Sequence, residues 1–331
     1  MADRLSLKGF EACAADFDCS VDASDVDRFC SRSEWILPFH QAFLPERELF
    51  LYRGGRDGAS FVALASREHA KVGPYLEALE NMWCFACPLI GPDAATLLDA
   101  AIADRGRRAP LVLSGIPVSG DPKSLLASIS QRLDGRYELR VIGTTLRFVA
   151  SLEGGLDGYL SRRSPSFRRN LRAALRKADD ADLAFEHVDV SAETVHDVYA
   201  RILRIESGSW KSAEGSGIDQ GPMRVFYRDM LPRLVARDAL RLVFSKRAGE
   251  DVGYLYGAVT GDHFRGLQLS YDHRHERLSP GNLLQREMIA KLCEQGLRSY
   301  DLGTRSDYKR RWAEEGLRTL TILARPGQAP R

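Results

Sequence analysis

Residues 265–312 read RGLQLSYDHRHERLSPGNLLQREMIAKLCEQGLRSYDLGTRSDYKRRW, and this stretch decides the fold. Its beginning, Gly266 to Tyr271, has the composition of a strand, and a charged turn follows from Asp272 to Leu278. After Ser279-Pro280-Gly281-Asn282, apolar residues recur at a helical period, and Gly296 ends the predicted helix. The stretch therefore predicts a strand, a glycine-containing loop and a helix.

A short second strand is predicted at Ser299 to Leu302, and it carries the carboxylate of Asp301 near its end. This arrangement presents backbone N–H groups to an anion, because the first amides of a helix are unpaired and its dipole is positive there. A pyrophosphate is the ligand that fits such a loop. The alternative is an ordinary strand-to-helix connection, since Ser, Pro, Gly and Asn are the usual residues of turns.

The length and composition are those of a globular protein with two domains. The chain has 331 residues, of which 44% are hydrophobic and 28% charged, so domains at 1–150 and 151–331 are expected. The net charge of +2 gives no global field for nucleic acid or membrane. Neither a membrane span nor a secretory signal is recognisable, and a cytoplasmic location is expected. Cys84 and Cys87 lack a second ligand pair, so no metal site is expected.

The remaining pattern mixes strands and helices, which indicates an α/β or α+β protein. In the first half, a helix is predicted over residues 21–44, and Glu48–Arg53 is expected to pair with Ala59–Ala65 across a glycine-rich turn. The second half is expected to open with a long cationic helix, Leu156–Ala181. Leu317–Ala324 is predicted to be the last strand.

Basic residues are concentrated between Arg162 and Lys177, where no acid interrupts them. On a helix, Arg169, Arg172 and Arg176 fall on one side, and such a stripe suits the phosphates of a cofactor, a nucleotide-linked acceptor or RNA. The alternative is a solvated helix with long side chains.

A second candidate cluster is Glu206 with Trp210 and Lys211, followed by a Gly/Ser-rich loop. A long loop inside a compact domain is more often functional than not. Trp210 offers a flat apolar wall and Glu206 a proton acceptor. Alternatively, Glu206 caps or pairs locally and Trp210 fills a groove.

The third cluster is Asp301 with Tyr308 and Lys309, one short loop apart. A carboxylate, a phenol and an amine at a strand end suit proton transfer from an attacking amine and stabilisation of a tetrahedral intermediate. The alternative is an ion-paired surface helix. No Gly-x-Ser-x-Gly, Walker, HExxH or GxGxxG motif is present, which removes the main sequence evidence for serine hydrolases, P-loop enzymes, zincins and Rossmann dehydrogenases.

The segments 166–188, 206–218 and 270–313 together resemble GNAT-superfamily acyltransferases of the CelD/BcsL type, the cellulose-biosynthesis acetyltransferase-like group. The motifs that carry the resemblance are SPG-x-LL, Asp-x-Gly and Tyr-Lys-x-x-Trp. These proteins are similar in turn to the tandem-GNAT FemAB transferases. The resemblance, which covers about residues 150–325, implies an α/β (α+β) fold of two tandem GNAT-like lobes. Each lobe is a mixed twisted sheet flanked by helices, and the N-terminal lobe is degenerate.

The resemblance also implies a donor site in which the strand before the SPG loop parts from its neighbour. The pantetheine is expected at the backbone of Leu269, Ser270 and Tyr271, and the pyrophosphate at the amides of Arg277, Leu278, Ser279, Gly281 and Asn282. The usual Arg/Gln-x-x-Gly-x-Gly/Ala loop is not intact here. Acetyl-CoA or another acyl-CoA, an acyl carrier protein and an aminoacyl-tRNA therefore all remain donors to consider, without a metal.

By the same resemblance, Lys309 is expected to stabilise the oxyanion. The candidate bases are Glu206, Asp272 and Asp301, and the candidate acceptor-binding residues are Arg169, Arg172, Trp210, Lys211 and Tyr308. The expected activity is transfer of an acyl group to an amine of a small molecule or peptide. Two alternatives stay open: a FemAB-like transferase that uses aminoacyl-tRNA, whose frequent coiled-coil insertion has no heptad counterpart here, and a non-catalytic GNAT-like binding protein.

Overall fold

The structure, a computed structural model, describes residues 2–70, 73–105 and 109–327. It divides into two compact units, the first running to Thr145 and including the segment that begins at Arg318, the second covering Leu146–Leu317. The last strand thus belongs with the first unit from Arg318 onward, whereas the expected division gave it to the second domain.

Unit 1 mixes helices and strands, and its long strand β7 continues past Thr145 into the sequence of unit 2. Its elements in chain order are β1 (Ala2–Leu5), α1 (Leu7–Ala12), α2 (Ala14–Asp22), α3 (Ser33–Phe43), β2 (Leu49–Gly54), β3 (Ser60–His69), β4 (Gly73–Ala78), β5 (Leu89–Ile90), α4 (Ala94–Arg105), β6 (Leu111–Pro117), α5 (Leu125–Leu133) and β7 (Tyr137–Ser151).

Unit 2 contains more helix, and its elements follow in the same numbering. They are α6 (Gly155–Ser161), α7 (Pro165–Asp180), β8 (Leu183–His187), α8 (Val195–Ser207), α9 (Trp210–Ala213), α10 (Gly221–Ala236), β9 (Leu240–Arg247), β10 (Glu250–Thr260), β11 (His263–Tyr271), α11 (Pro280–Glu294), β12 (Ser299–Thr304), α12 (Asp307–Arg310) and β13 (Glu314–Pro326). A 3₁₀ segment, His273–Leu278, joins β11 to α11.

Both units have a mixed sheet. In unit 1 the strand order is β1-β2-β3-β4-β6, followed by the part of β13 from Arg318 and the part of β7 up to Thr145, with β4 and β6 parallel. In unit 2 the order is β7-β12-β11-β10-β9-β8, with β11 and β12 parallel and the other neighbours antiparallel. The predicted mixed α/β class is confirmed, and so is the predicted hairpin, in which Leu51 pairs with Ala63.

Helix α11 stands where the apolar period predicted it. Its Leu283, Leu284, Met288, Ile289 and Leu292 are all buried in the core of unit 2. Burying side chains of this size contributes about 1.5–3 kcal/mol each, so this face fixes α11 against the sheet. The N-terminus of α11 is thereby held beside the end of β11.

Two predicted helices are interrupted. The helix predicted over 21–44 is wrong as one element, because α2 ends at Asp22 and α3 begins at Ser33, with the Asp27 carboxylate accepting the Phe29 amide between them. The helix predicted over 156–181 is two helices. Ser164 caps α7 by accepting from the Phe167 amide, and Pro165 occupies the first helical position, which starts a new helix.

Among the described residues, no helix is long and apolar enough to cross a membrane.

Candidate active site

Strands β11 and β12 separate soon after they meet. They pair in parallel at three positions, the last of which joins Arg265 to Asp301. On its other side β11 stays paired with β10 as far as Tyr271. From Gly266 to Tyr271 the β12-facing edge of β11 therefore has no strand partner in the described chain, and its backbone groups face a gap. The parting that the family resemblance implied is present.

A cleft of about 1330 Å³ opens at this gap. Its walls come from α7, α9, the open part of β11, the N-terminus of α11, the end of β12 and α12. A cavity of this volume exceeds the usual 300–1,000 Å³ of small-ligand pockets, so it has room for a long ligand.

The N-terminus of α11 closes one end of the cleft. The amides of Asn282 and Leu283 both donate back to the Ser279 carbonyl, at 3.0 and 3.2 Å. Pro280 has no N–H, and the Gly281 amide has no acceptor within the described residues, nor does a side chain cap this helix. The helix dipole and this amide without an acceptor together favour the binding of an anion.

Gly281 lies close to two side chains of β11. A Cβ on Gly281 would be 3.0 Å from Cε1 of Tyr271 and 3.4 Å from Cδ2 of Leu269. Ser279 has φ +56°, in the left-handed region that favours glycine, which turns the chain into α11.

Most of the residues predicted to bind the donor lie together in the cleft lining. Leu269, Ser270, Tyr271, Ser279, Gly281 and Asn282 all line the cleft. Arg277 and Leu278 lie in the 3₁₀ segment outside that lining, and Arg277 is exposed.

Lys309 projects into the cleft from α12, a short helix that Ser306 caps. Burial, together with the positive charges of Arg265 and Lys211 and against the opposing charge of Asp301, lowers the pKa of Lys309 to about 8. An amine with this pKa exchanges a proton readily near neutral pH.

Lys211 reaches the open edge of β11. Its Nζ donates to the Leu269 carbonyl at 2.6 Å and to Oε1 of Gln268 at 3.1 Å. Burial lowers the pKa of Lys211. One backbone acceptor of the open edge is thus already bonded to this lysine.

Asp301 is held between two arginines. Its carboxylate pairs with Arg265 at 2.8 Å and Arg147 at 3.0 Å, and it accepts the Gly303 amide at 2.7 Å. Asp301 and both arginines are buried. The carboxylate is therefore a counter-ion, and its lone pairs point at groups of the protein.

The other two candidate bases are also engaged. Glu206 is fully buried, accepts the Ile218 amide and the Tyr254 hydroxyl, and does not line the cleft. Asp272 caps the 3₁₀ segment and pairs with Arg274, which lowers the pKa of Asp272. Neither carboxylate faces the gap between β11 and β12.

The predicted acceptor residues divide into two groups. Trp210 is 48% exposed and Tyr308 41% exposed, and both line the cleft with Lys211. Arg169 and Arg172 are exposed on α7 outside the cleft lining. The structure therefore does not bring the arginine stripe to the gap.

One wall was missed by sequence reasoning, namely the N-terminal half of α7. Phe167 lines the cleft and meets Trp312 edge-on, with ring centroids 4.9 Å apart. The Tyr159 hydroxyl donates to the Trp312 carbonyl at 2.9 Å. The Ser164-Pro165 pair was the available signal, because it marks the start of this helix.

Across residues 2–70, 73–105 and 109–327, no three His, Cys, Asp or Glu side chains are placed to hold a metal ion.

Residues 165–310 match the family described as an acetyltransferase (GNAT) domain. Three solved structures are similar over nearly the whole chain. FemX has 11% identity and a TM-score of 0.62, covering 97% of this chain and 96% of that one. A conserved protein of unknown function from Bacteroides thetaiotaomicron has 10% identity and a TM-score of 0.60, covering 98% and 99%. A tandem GNAT protein from the clavulanic acid biosynthesis pathway has 12% identity and a TM-score of 0.50, covering 100% and 99%.

The chain has the tandem GNAT fold, and its second unit carries the part matched to the GNAT family. No curated protein sequence matches the chain.

Proposed function

We propose that this protein is an N-acyltransferase of the GNAT type that moves an acyl group from a thioester to an amine. The observation that carries the proposal is that one cleft contains two features. They are the open edge of β11, Gly266–Tyr271, and the Gly281 amide, which donates no hydrogen bond within the described residues. The match to the GNAT family supports it, and the sequence resemblance favours the CelD/BcsL type.

The donor is an acyl-CoA, such as acetyl-CoA, or an acyl carrier protein. Its phosphates lie at the α11 N-terminus, where the Gly281 amide and the helix dipole favour negative charge. Its pantetheine arm lies along β11 beside Leu269 and Tyr271, as an added strand lies on an open sheet edge.

The acceptor is an amine of a small molecule or peptide. Trp210 and Tyr308 present half-exposed aromatic surface at the cleft, which suits the apolar part of such an acceptor.

Lys309 carries the proton in this proposal. Its neutral form takes the proton from the acceptor's ammonium group, and the amine then attacks the thioester carbonyl and forms the C–N bond. The protonated lysine stabilises the tetrahedral oxyanion. As the C–S bond breaks, the proton on Lys309 passes to the leaving thiolate, and the extra proton on the attacking nitrogen passes to water, so charge and atoms balance. The pKa of about 8 places Lys309 in the range where both transfers are easy.

The three carboxylates support this route by their placement. Glu206, Asp272 and Asp301 are bonded to groups of the protein, and none is needed as a base when Lys309 lies in the cleft. Asp301 acts on Lys309 only through its charge.

The test is acyl-CoA-dependent thiol release with a panel of amines. Lys309→Ala should lower kcat about 10²- to 10⁴-fold and leave the affinity for CoA within about threefold. Lys291→Ala is the matched control, because Lys291 is also half-exposed and lies on α11 away from the cleft. In the unaltered protein, kcat should rise through about pH 8, where Lys309 becomes neutral.

Loss of CoA affinity with kcat intact would instead make Lys309 a recognition residue. A protein that binds CoA but never releases thiol would have a non-catalytic binding role.

A second candidate is a FemAB-like transferase that takes its acyl group from aminoacyl-tRNA. The specific observation in its favour is that Arg169, Arg172 and Arg176 are all exposed on one helix, where phosphates of a polyanion can reach them. Tight tRNA binding that weakens steeply with salt, without measurable CoA binding, would select this candidate.

A further inference from the structure

Tyr300 fills the place where β11 and β12 part. Gly266 is the first residue of β11 that has no β12 partner, and a Cβ on it would lie 2.6 Å from Cε2 of Tyr300 and 2.8 Å from its hydroxyl oxygen. The Tyr300 ring packs edge-on against Phe264, with centroids 4.9 Å apart, and is 3% exposed. The ring therefore lies across the backbone at the narrow end of the gap, and Gly266 is the residue that gives it room.

Gln285 holds the ring from the other side. The Tyr300 hydroxyl donates to Oε1 of Gln285 at 3.2 Å, and Gln285 is also 3% exposed. Both residues line the cleft together with Gly266. The narrow end of the cleft is thus closed by a hydrogen-bonded pair, one residue from β12 and one from α11.

The course of β11 connects this closed end to the phosphate end. Gly281 faces Tyr271 and Leu269, so a donor phosphate at the Gly281 amide starts beside the last residues of β11. From Tyr271 back to Gly266 the strand covers about 17 Å, at roughly 3.3 Å per residue. An extended arm that lies on this edge with its phosphates at α11 directs its far end at Tyr300.

We infer that the donor acyl group is short, and that Tyr300, positioned by Gln285, sets this limit. The inference rests on the proposed function, since it assumes that a thioester donor lies along β11. A long alkyl chain would have to displace a ring that packs on Phe264. It would also separate two buried polar groups that have each other as partners, which is costly in a site shielded from water.

The experiment compares calorimetric affinities for CoA, acetyl-CoA and octanoyl-CoA. The unaltered protein should bind octanoyl-CoA at least about tenfold more weakly than acetyl-CoA. Tyr300→Phe, which keeps the ring and loses the hydroxyl, should retain that order. Tyr300→Ala should reverse it by about tenfold or more, because the chain then fills the apolar space that the ring leaves.

Free CoA is the control, and its affinity should be equal in all three proteins because it has no acyl group to reach Tyr300. Absence of CoA binding to the unaltered protein would overturn acyl-CoA as the donor of the proposed function, and this inference with it. Normal CoA binding together with octanoyl-CoA bound as tightly as acetyl-CoA would overturn the inference alone. The same holds for a folded Tyr300→Ala protein that keeps the original order. If Tyr300→Ala unfolds, Tyr300→Leu takes its place, with the same reversal expected.

Discussion

Replacing Asp301 by asparagine should destabilise unit 2 markedly. Asp301 is the shared counter-ion of Arg147 and Arg265, and these three residues are only 8%, 1% and 8% exposed. Asn keeps the shape and an acceptor for the Gly303 amide but removes the negative charge that faces these two buried guanidinium groups. Removing one partner from a buried ion pair costs about 3–5 kcal/mol, and the retained hydrogen bond places this case near the lower end.

The expected effect on the melting temperature follows from this free energy. For a unit of this size, 1 kcal/mol corresponds to about 3 °C, so Asp301→Asn should lower the Tm by roughly 9 °C. Circular dichroism during thermal unfolding measures it. Asp229→Asn is the matched control, because its partner Arg228 is 55% exposed and the pair should be worth at most about 1 kcal/mol.

A decrease smaller than about 2 °C for Asp301→Asn, or equal decreases for the two variants, would refute the reasoning. Either result would mean that water or a rearrangement of the protein stabilises the charges of the two arginines as well as the Asp301 carboxylate does.

The same substitution should shift the pH dependence of turnover. The negative charge of Asp301 raises the pKa of Lys309, against burial and the charge of Arg265, which lower it. Without that charge the pKa of Lys309 falls below about 8, so its neutral form appears at lower pH. The rising limb of the kcat profile should therefore move to lower pH. An unchanged limb would mean that the titration of Lys309 does not control kcat.

Three further variants test other parts of the chain. Gly281→Val should weaken CoA binding about tenfold or more in calorimetry, because the added side chain meets Tyr271 and covers the helix amide; an unchanged Kd with normal folding would contradict the site. Under the second candidate, the aminoacyl-tRNA-dependent transferase, combined Arg169→Ala and Arg172→Ala should reduce the salt slope of tRNA binding by about 1.5, and a loss that is the same at all salt concentrations would contradict a phosphate role. Glu80→Gln should destabilise unit 1 by about 3 kcal/mol in urea unfolding, because the buried carboxylate of Glu80 accepts four backbone amides at once. Unchanged stability in urea would show that those amides find water instead.

The local parts of the fold were predictable from sequence. The apolar period from Leu283 to Leu292 and the turn residues at Ser279 and Gly281 act within a few positions of one another, so they predict α11 and its loop directly. The hairpin of β2 and β3 was predictable for the same reason.

The roles of the carboxylates were not predictable, because their partners are remote in sequence. Glu206 meets Tyr254, and Asp301 meets Arg147, a residue at the very start of unit 2. Strand-end position made Asp301 a plausible base, but only the paired strands bring its two arginines to it. The contribution of α7 to the cleft was not predictable for the same reason, because its Phe167 contacts Trp312, which is remote in sequence.

The hydrogen bond from the Tyr159 hydroxyl to the Trp312 carbonyl has a practical consequence for expressing unit 2 as a separate fragment. Tyr159 and Trp312 both lie outside the matched segment 165–310. Ser164, which caps the N-terminus of α7, also lies outside it. A fragment trimmed to the borders of the match would lose this hydrogen bond and also Trp312, whose ring packs against Phe167 in the cleft wall. A fragment meant to retain this hydrogen bond and Trp312 should therefore include at least Leu146–Leu317.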